Sequence, residues 1–239
     1  MKTHMRTLGL IGGTSWHSTI EYYRHINQLV NAHFGNNTNP PLILFNLNQA
    51  LVHQYQKEDR WSKIADLMIE AGERLQNGGA EAIIFCANTP HKVFDLVEKQ
   101  LTVPILHIAD ATAIEIKNRG IRKVCFLGTK FSMEDRFITD RYANHGIDTL
   151  VPEKAEVILE LHRIIHEELT FGKVLEASKQ YVLAVIESMR ALGAEGVVLG
   201  CTEFPLMLNE FDLTIPIFNT TQIHAEAATR FILSNELKD

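Results

Sequence analysis

The chain lacks the marks of several large classes of protein. It has three cysteines in 239 residues, with no Cys-x-x-Cys pair and no Cys/His cluster at zinc spacing, which argues for reduced thiols and against a disulfide framework or a metal site. No apolar run approaches the length of a membrane span. The stretch Leu8-Gly9-Leu10-Ile11 is too short, and too soon broken by Gly12-Gly13, to be a signal peptide, so a cytoplasmic location with no membrane partner is expected. There is no block of Lys and Arg, and 29 acidic residues against 23 basic ones leave a formal charge of -6, which argues against a nucleic-acid partner. Neither Gly-x-Gly-x-x-Gly nor a Gly-Lys-Ser/Thr phosphate loop is present, which removes nucleotide and dehydrogenase readings.

What remains is an ordinary globular composition, 46% hydrophobic and 22% charged, in a chain long enough to form one large domain or two small ones. Residues 6 to 11 read as a buried strand, and Gly12-Gly13-Thr14-Ser15 as a turn into a helix running to about Phe34. Ser18 and Glu21 fit a capping box for that helix, Ile20, Tyr23, Ile26, Leu29 and Val30 give its apolar stripe, and Gly35 is its stop. Leu42 to Phe45 reads as a strand, Asn46 to Arg60 as a polar loop, and Trp61 to about Gln76 as a helix. The strand Ala82 to Phe85 then delivers Cys86, with Thr89 as N-cap and Pro90 at the first position of the next helix. Val103 to Ile108 is a further strand, followed by a helix stopped near Gly120. This alternation predicts a parallel sheet covered on both faces.

The pattern then restarts. Val124-Cys-Phe-Leu-Gly128-Thr129 resembles Leu10-Ile-Gly-Gly-Thr14, ahead of a helix opened by Ser132 and Asp135. Gly193-Ala194-Glu195, Cys201 and Pro205 repeat Gly79-Ala80-Glu81, Cys86 and Pro90, while Ile215-Pro-Ile-Phe-Asn219 repeats Val103-Pro-Ile-Leu-His107. The matched landmarks lie 112 to 115 residues apart. Two related α/β halves are expected, residues 1–105 and 106–219. The second departs from the first between Glu153 and Leu192, where two long helices are broken by Phe171-Gly172.

In open parallel sheets ligands bind at the carboxyl ends of the strands, which brings Gly12-Gly13-Thr14, Cys86, Gly128-Thr129 and Cys201 to that side. If the halves oppose one another about a pseudo-twofold axis, the two thiols face each other across a cleft, which suits a reaction run from both faces of one carbon. Stereoinversion beside a carboxylate is such a reaction, with one thiolate taking the Cα proton and the opposite thiol returning one. Each sulfur would sit roughly 3 to 3.5 Å from Cα, which puts the sulfurs about 7 Å apart and beyond disulfide reach. With no imine cofactor the Cα proton is a very weak acid, so an enolate-like dianion needs preorganised donors. Asn88, Thr89 and Thr202, with the amides after each cysteine and at the turns of Gly13-Thr14 and Gly128-Thr129, are of the right type. Glu203 beside Cys201 should disfavour the Cys201 thiolate and leave Cys86 the more readily ionised thiol. Cys125 reads as a small core residue. Gly12, Gly13 and Gly128 fit tight turns as well as ligand contacts, His91 stays open between packing and base, and His107, Trp16, Tyr22 and Tyr23 read as structural.

Ile11-Gly-Gly-Thr-Ser-Trp16, Cys86-Ala-Asn-Thr-Pro-His91, His107-Ile-Ala-Asp-Ala111 and Gly200-Cys-Thr-Glu203 together resemble the aspartate/glutamate racemase family, over nearly the whole chain. The aspartate-preferring and broad-specificity branch fits better, because glutamate racemases carry Cys-Asn-Thr without the spacer and Gly-Cys-Thr-His, with histidine where Glu203 stands. The resemblance implies a cofactor-independent two-base racemase acting on aspartate or related amino acids, with Cys86 and Cys201 as the bases. It implies a homodimer and a flavodoxin-like sheet in each half, with the site in the cleft between the halves. It implies further that a C-terminal helix, 220–239, returns to the first half. A basic residue after the Phe171-Gly172 break would bind the substrate's side-chain carboxylate, Lys179 first and Lys173 second; Arg60 and His53, in the loop before Trp61, are weaker candidates that read better as solvated surface charge. Hydantoin racemisation, maleate isomerisation and a non-catalytic amino-acid sensor stay open as alternatives.

Overall fold

Alternating side chains decide which face of each strand meets which helix. In β1 (Leu8–Gly12), Leu8 and Leu10 share a cluster with Tyr22 and Ile26 of α1 (Trp16–Phe34), whereas Ile11 lies in a separate cluster on the opposite face. Next in the chain come β2 (Leu42–Asn46), α2 (Gln49–Lys57) and α3 (Trp61–Asn77). Ile64, Met68, Ala71 and Leu75 of α3 pack on the Ile11 side, with Ile83 and Phe85 of β3 (Ala82–Phe85). Ala82, Ile84 and Cys86 turn the other way, toward α1. α4 (Phe94–Glu98) and β4 (Ile105–Leu106) complete this set, and the four strands form a parallel sheet in the order β2-β1-β3-β4.

The structure, a computed structural model, describes residues 5–234 and divides into two compact units. One runs up to Ile108 and resumes at His224; the other is Ala109–Ile223. The second contains most of α5 (Ile108–Asn118), then β5 (Lys123–Leu127), α6 (Lys130–Glu134), α7 (Thr139–Asn144), β6 (Asp148–Leu150), α8 (Ala155–Arg163), α9 (Glu176–Ala191), β7 (Gly196–Leu199) and β8 (Ile217–Asn219). Its sheet is also parallel, in the corresponding order β6-β5-β7-β8. The turns ahead of β3 and β7 match in detail: Gly79 and Gly193 have φ of 96° and 95°, and Glu81 and Glu195 each accept a backbone N–H, from Thr7 at 2.9 Å and from Arg122 at 3.0 Å.

Several local expectations give way. The stretch expected as a loop after β2 contains α2, capped by Asn48, whose Oδ1 accepts from the Ala50 N–H at 3.1 Å; with Val52 as its one buried residue, this helix leaves little periodic signal. Ser15, not Ser18, caps α1, and Ile20 and Tyr23 are 52% and 55% exposed because the buried face runs through Tyr22, Ile26 and Val30. Trp16, expected to pack, is likewise half exposed. Thr129, not Ser132, caps α6, which ends at Glu134. Beyond α8 the chain widens into a π turn (Ile164–Glu168) and then tightens into a 3-10 turn (Leu169–Phe171) that ends at Gly172, at φ 69°. The edge strand β6 was not anticipated from its three mixed residues.

The last helix, α10 (Thr220–Leu233), begins in the second unit and from His224 onward belongs to the first, where Ala225, Ala228, Ile232 and Leu233 join the cluster of Leu8, Leu10 and Tyr22. Of the helix expected over 220–239, residues 235–239 lie outside the described residues. No helix among the described residues is long and apolar enough to cross a membrane.

His224 is fully buried and ties three segments together: its Nε2–H donates to the Leu106 carbonyl at 2.9 Å, and its Nδ1 accepts from the Tyr22 hydroxyl at 2.8 Å. Burial lowers its pKa to about 4, although the bond to Leu106 acts in the opposite sense. Between 6.5 and about 4 the unfolded chain therefore binds a proton that the folded chain refuses, so stability is present above that window and is lost as pH falls through it. The full loss from this group is about 3 kcal/mol. Urea melts between pH 7 and pH 4.5 are predicted to show this decline, and His224→Gln to flatten it; an equal slope in the variant contradicts the assignment.

Candidate active site

At the carboxyl end of β1 the chain turns through Gly13, at φ 80°, where a Cβ would lie 2.1 Å from the Leu47 carbonyl oxygen; both conformation and space require glycine. The Gly13 N–H donates to Thr19 Oγ1 at 3.0 Å. Thr14 is 7% exposed, and its buried hydroxyl has no hydrogen-bond partner among the described residues. His53, a weaker candidate for binding a carboxylate, is held below its ordinary pKa by burial, while its bond to the Thr14 backbone works the other way.

Cys86 extends β3 by one residue, its N–H donating to the Ile11 carbonyl at 3.0 Å. Its thiol is fully buried, and burial pushes the pKa well up. The Cys86 carbonyl accepts from Ser18 Oγ at 2.5 Å, which gives Ser18 a role the capping pattern concealed. Thr89 does not cap a helix here: Asn88 holds the cap position, without a side-chain cap bond, of a five-residue 3-10 turn, Thr89–Val93, and the α-helical geometry of α4 starts only at Phe94. The α-helix N-terminus, which could lower a thiol pKa, thus begins eight residues beyond Cys86.

The second unit repeats this arrangement with one residue more. Glu81 precedes Cys86 by five positions and Glu195 precedes Cys201 by six. It is the Gly200 N–H, donating to Leu127 at 2.7 Å, that occupies the ladder position of the Cys86 N–H. A Cβ at Gly200 would stand 2.1 Å from Cζ of Phe126, so the inserted residue has no room for a side chain. Cys201 therefore lies one step further along the chain than its counterpart and is 8% exposed against 0% for Cys86. Its thiol donates to Glu203 Oε2 at 2.8 Å, as does the Thr202 hydroxyl at 2.8 Å. Burial, then the Glu203 charge and this hydrogen bond, raise its pKa. Both thiols are thus raised, with the carboxylate acting on Cys201 alone.

Thr129 caps α6, accepting from the Ser132 N–H at 3.4 Å, and the Lys130 N–H donates to His162 Nδ1 at 3.3 Å. Burial, with His166 and Lys130 nearby, brings the His162 pKa down to about 4. Lys179 is not a free cation: its Nζ lies 2.7 Å from Asp212 Oδ1, whose other oxygen accepts from the Asn209 N–H at 2.9 Å. Nothing in the local sequence of either residue signals that pairing. Arg60 pairs with Glu58 at 3.2 Å and lies over the Tyr55 ring. Lys173 is exposed just past Gly172, without an ion-pair partner among the described residues. The first unit thus gathers Gly13, Thr14, Cys86, Asn88 and Thr89 at the ends of β1 and β3. The second gathers Thr129, Cys201, Thr202 and Glu203 at the ends of β5 and β7, while Lys179 on α9 is engaged by Asp212. All three cysteines are free, and burial raises Cys125, within β5, to about 12.

A family model described as Asp/Glu/hydantoin racemase matches residues 11–228. The chain belongs to this racemase family. A provisionally assigned Asp/Glu racemase from Yersinia pestis is similar in structure at a TM-score of 0.91 and 43% identity, covering 96% of this chain and 100% of that one. An aspartate racemase homologue from Pyrococcus horikoshii aligns at 0.82 with 38% identity, over 93% of this chain and 97% of its own. A glutamate racemase from Nitratiruptor is 23% identical over 58% of this chain, and the match spans 53% of that protein's length. Racemases are isomerases, and the two four-stranded parallel sheets are those of the family's α/β fold.

Glu203→Gln removes the charge beside Cys201 while leaving the burial. The Cys201 pKa is predicted to fall yet stay above that of an ordinary thiol. The pH dependence of iodoacetamide labelling in a Cys86→Ala, Cys125→Ala background reads this directly; an unmoved or rising midpoint contradicts the assigned influence of Glu203.

Proposed function

We propose that the protein is a cofactor-independent amino-acid racemase, with aspartate as its first substrate, in which Cys86 and Cys201 act on opposite faces of one Cα. The observation that carries this reading is a free, buried thiol at the carboxyl end of the corresponding strand in each of two sheets with the same strand order, in a chain of the racemase family. Similarity to an aspartate racemase homologue supports the substrate. A homodimer is the proposed assembly.

Glu203 distinguishes the two thiols. As it takes the Cys201 proton, the sulfur removes the Cα proton, and the bonding electrons pass into the substrate carboxylate as an enolate. Cys86 then donates its thiol proton to the other face and is left as thiolate; return of the Glu203 proton to Cys86 through solvent resets the site. Burial leaves each thiolate scarce but strongly basic, which suits a very weak carbon acid. Thr14, Thr129, Asn88, Thr89 and Thr202 supply hydroxyl, carboxamide and backbone donors for the carboxylate and the enolate. Since Asp212 occupies Lys179, Lys173 takes over the recognition of the distal carboxylate.

Cys86→Ser and Cys201→Ser are each predicted to lower kcat for aspartate about 10³-fold. Lys173→Met should raise KM for aspartate by about tenfold or more, the loss of a charge-assisted contact, and Lys179→Met should raise it far less. Chiral chromatography of aspartate turnover checks both; full activity in the two serine variants rules the mechanism out, and a larger KM effect at Lys179 reverses the assignment of the cation.

A further inference from the structure

His91 lies three residues beyond Asn88 and is 2% exposed, yet the proton transfers described above make no use of it. Both of its ring nitrogens are taken. Nδ1 lies 3.0 Å from the Ala87 carbonyl oxygen and 3.1 Å from that of Asn88, and Nε2 lies 3.3 Å from the Ile108 backbone nitrogen. Two carbonyls on one side require an N–H at Nδ1, and a backbone N–H on the other requires a lone pair at Nε2, so the ring is neutral and in a single tautomer. Phe85 at 5.0 Å, His107 at 4.4 Å and the stacked Phe94 at 6.2 Å, centroid to centroid, wall it in. A ring so held is a poor acid or base for a substrate, which settles the role left open for His91 in favour of structure around the site.

The clamp has a chemical consequence on its far side. Across a planar trans peptide the carbonyl of one residue and the N–H of the next point in opposite directions, and no cis peptide occurs among the described residues. Drawing the Ala87 and Asn88 carbonyls onto Nδ1 therefore turns the N–H groups of Asn88 and Thr89 away from the ring. The backbone N–H of His91 adds a further bond to the Asn88 carbonyl at 3.0 Å, so the turn is held from two directions. The second unit has no equivalent: Leu206, at the matching distance from Cys201, is 57% exposed. We infer that His91 is a positioning residue whose neutral ring aims the Asn88 and Thr89 backbone N–H groups at the negative charge that develops on the substrate beside Cys86. The inference rests on the racemase reading above.

The test compares His91→Leu with His91→Asn, whose carboxamide N–H can replace Nδ1–H but cannot reach Ile108. His91→Leu is expected to lower kcat about 10²-fold, as loss of preorganised oxyanion donors does, with KM within about threefold of the parent; His91→Asn should recover most of that loss. Rates are taken per folded molecule, with folding followed by thermal melts. Unchanged kcat in the leucine variant, or an asparagine variant as slow as leucine, overturns the inference. Nitrogen-15 spectra of the parent protein test the clamp without turnover: a protonated Nδ1 and bare Nε2 are expected, and the opposite tautomer or a charged ring overturns it. A parent protein that exchanges no Cα proton on any amino acid rejects the racemase reading itself, and the positioning role of His91 with it.

Discussion

Parallel pairing of the first and third strands of each unit is the constraint on which the rest depends. In β1 with β3, and in β5 with β7, all carboxyl ends emerge on one side, so the turns after adjacent strands become neighbours although some seventy residues separate them. That pairing sets the Gly13-Thr14 turn beside Cys86, and Gly128-Thr129 beside Gly200-Cys201. Small residues make the approach possible: Gly13 turns under Leu47, and Gly200 admits the ring of Phe126. The Ser18 bond to the Cys86 carbonyl and the Thr220 bond to Leu199 at 2.8 Å then fasten the ends of β3 and β7.

Burial gives both thiols the character of weak acids, but their surroundings differ. Cys86 has only desolvation acting on it, while Cys201 has a carboxylate as hydrogen-bond acceptor. The difference traces to the second residue after each thiol, Asn88 in the first copy and Glu203 in the second. The repeated pattern thus supplies two thiols, and the Glu203 carboxylate makes them chemically unequal. A pair in which one member has a proton acceptor at hand and the other has none is suited to serve as base and acid in the same encounter.

Much of this was legible in the residues. The duplicated Gly-Ala-Glu turns and the alternation of strands and helices predicted two parallel sheets, and the isolated thiols in repeated surroundings marked the candidate site. Signals that depend on local chemistry alone were less reliable. Thr89-Pro90 has the form of a helix start, yet the chain first makes a 3-10 turn, because the His91 ring and backbone N–H hold the carbonyls that open it. Ser18 fits a capping box, yet its buried hydroxyl serves a carbonyl 68 positions away. Lys179 looked available until the fold brought Asp212 to it, and α2 was hidden because one buried valine leaves no periodicity to read. For Ser18 and Lys179 the deciding partner is distant in sequence, which no local pattern encodes.

The central claim is that one thiol removes the Cα proton and the other returns it. Its most direct test is the initial time course of turnover of a single aspartate enantiomer in heavy water, with deuterium at Cα measured separately in product and remaining substrate. Two bases predict product labelled from the first turnovers while the remaining substrate stays almost unlabelled. Deuterium entering the substrate as fast as, or faster than, inverted product forms would show one base serving both faces and would contradict the account.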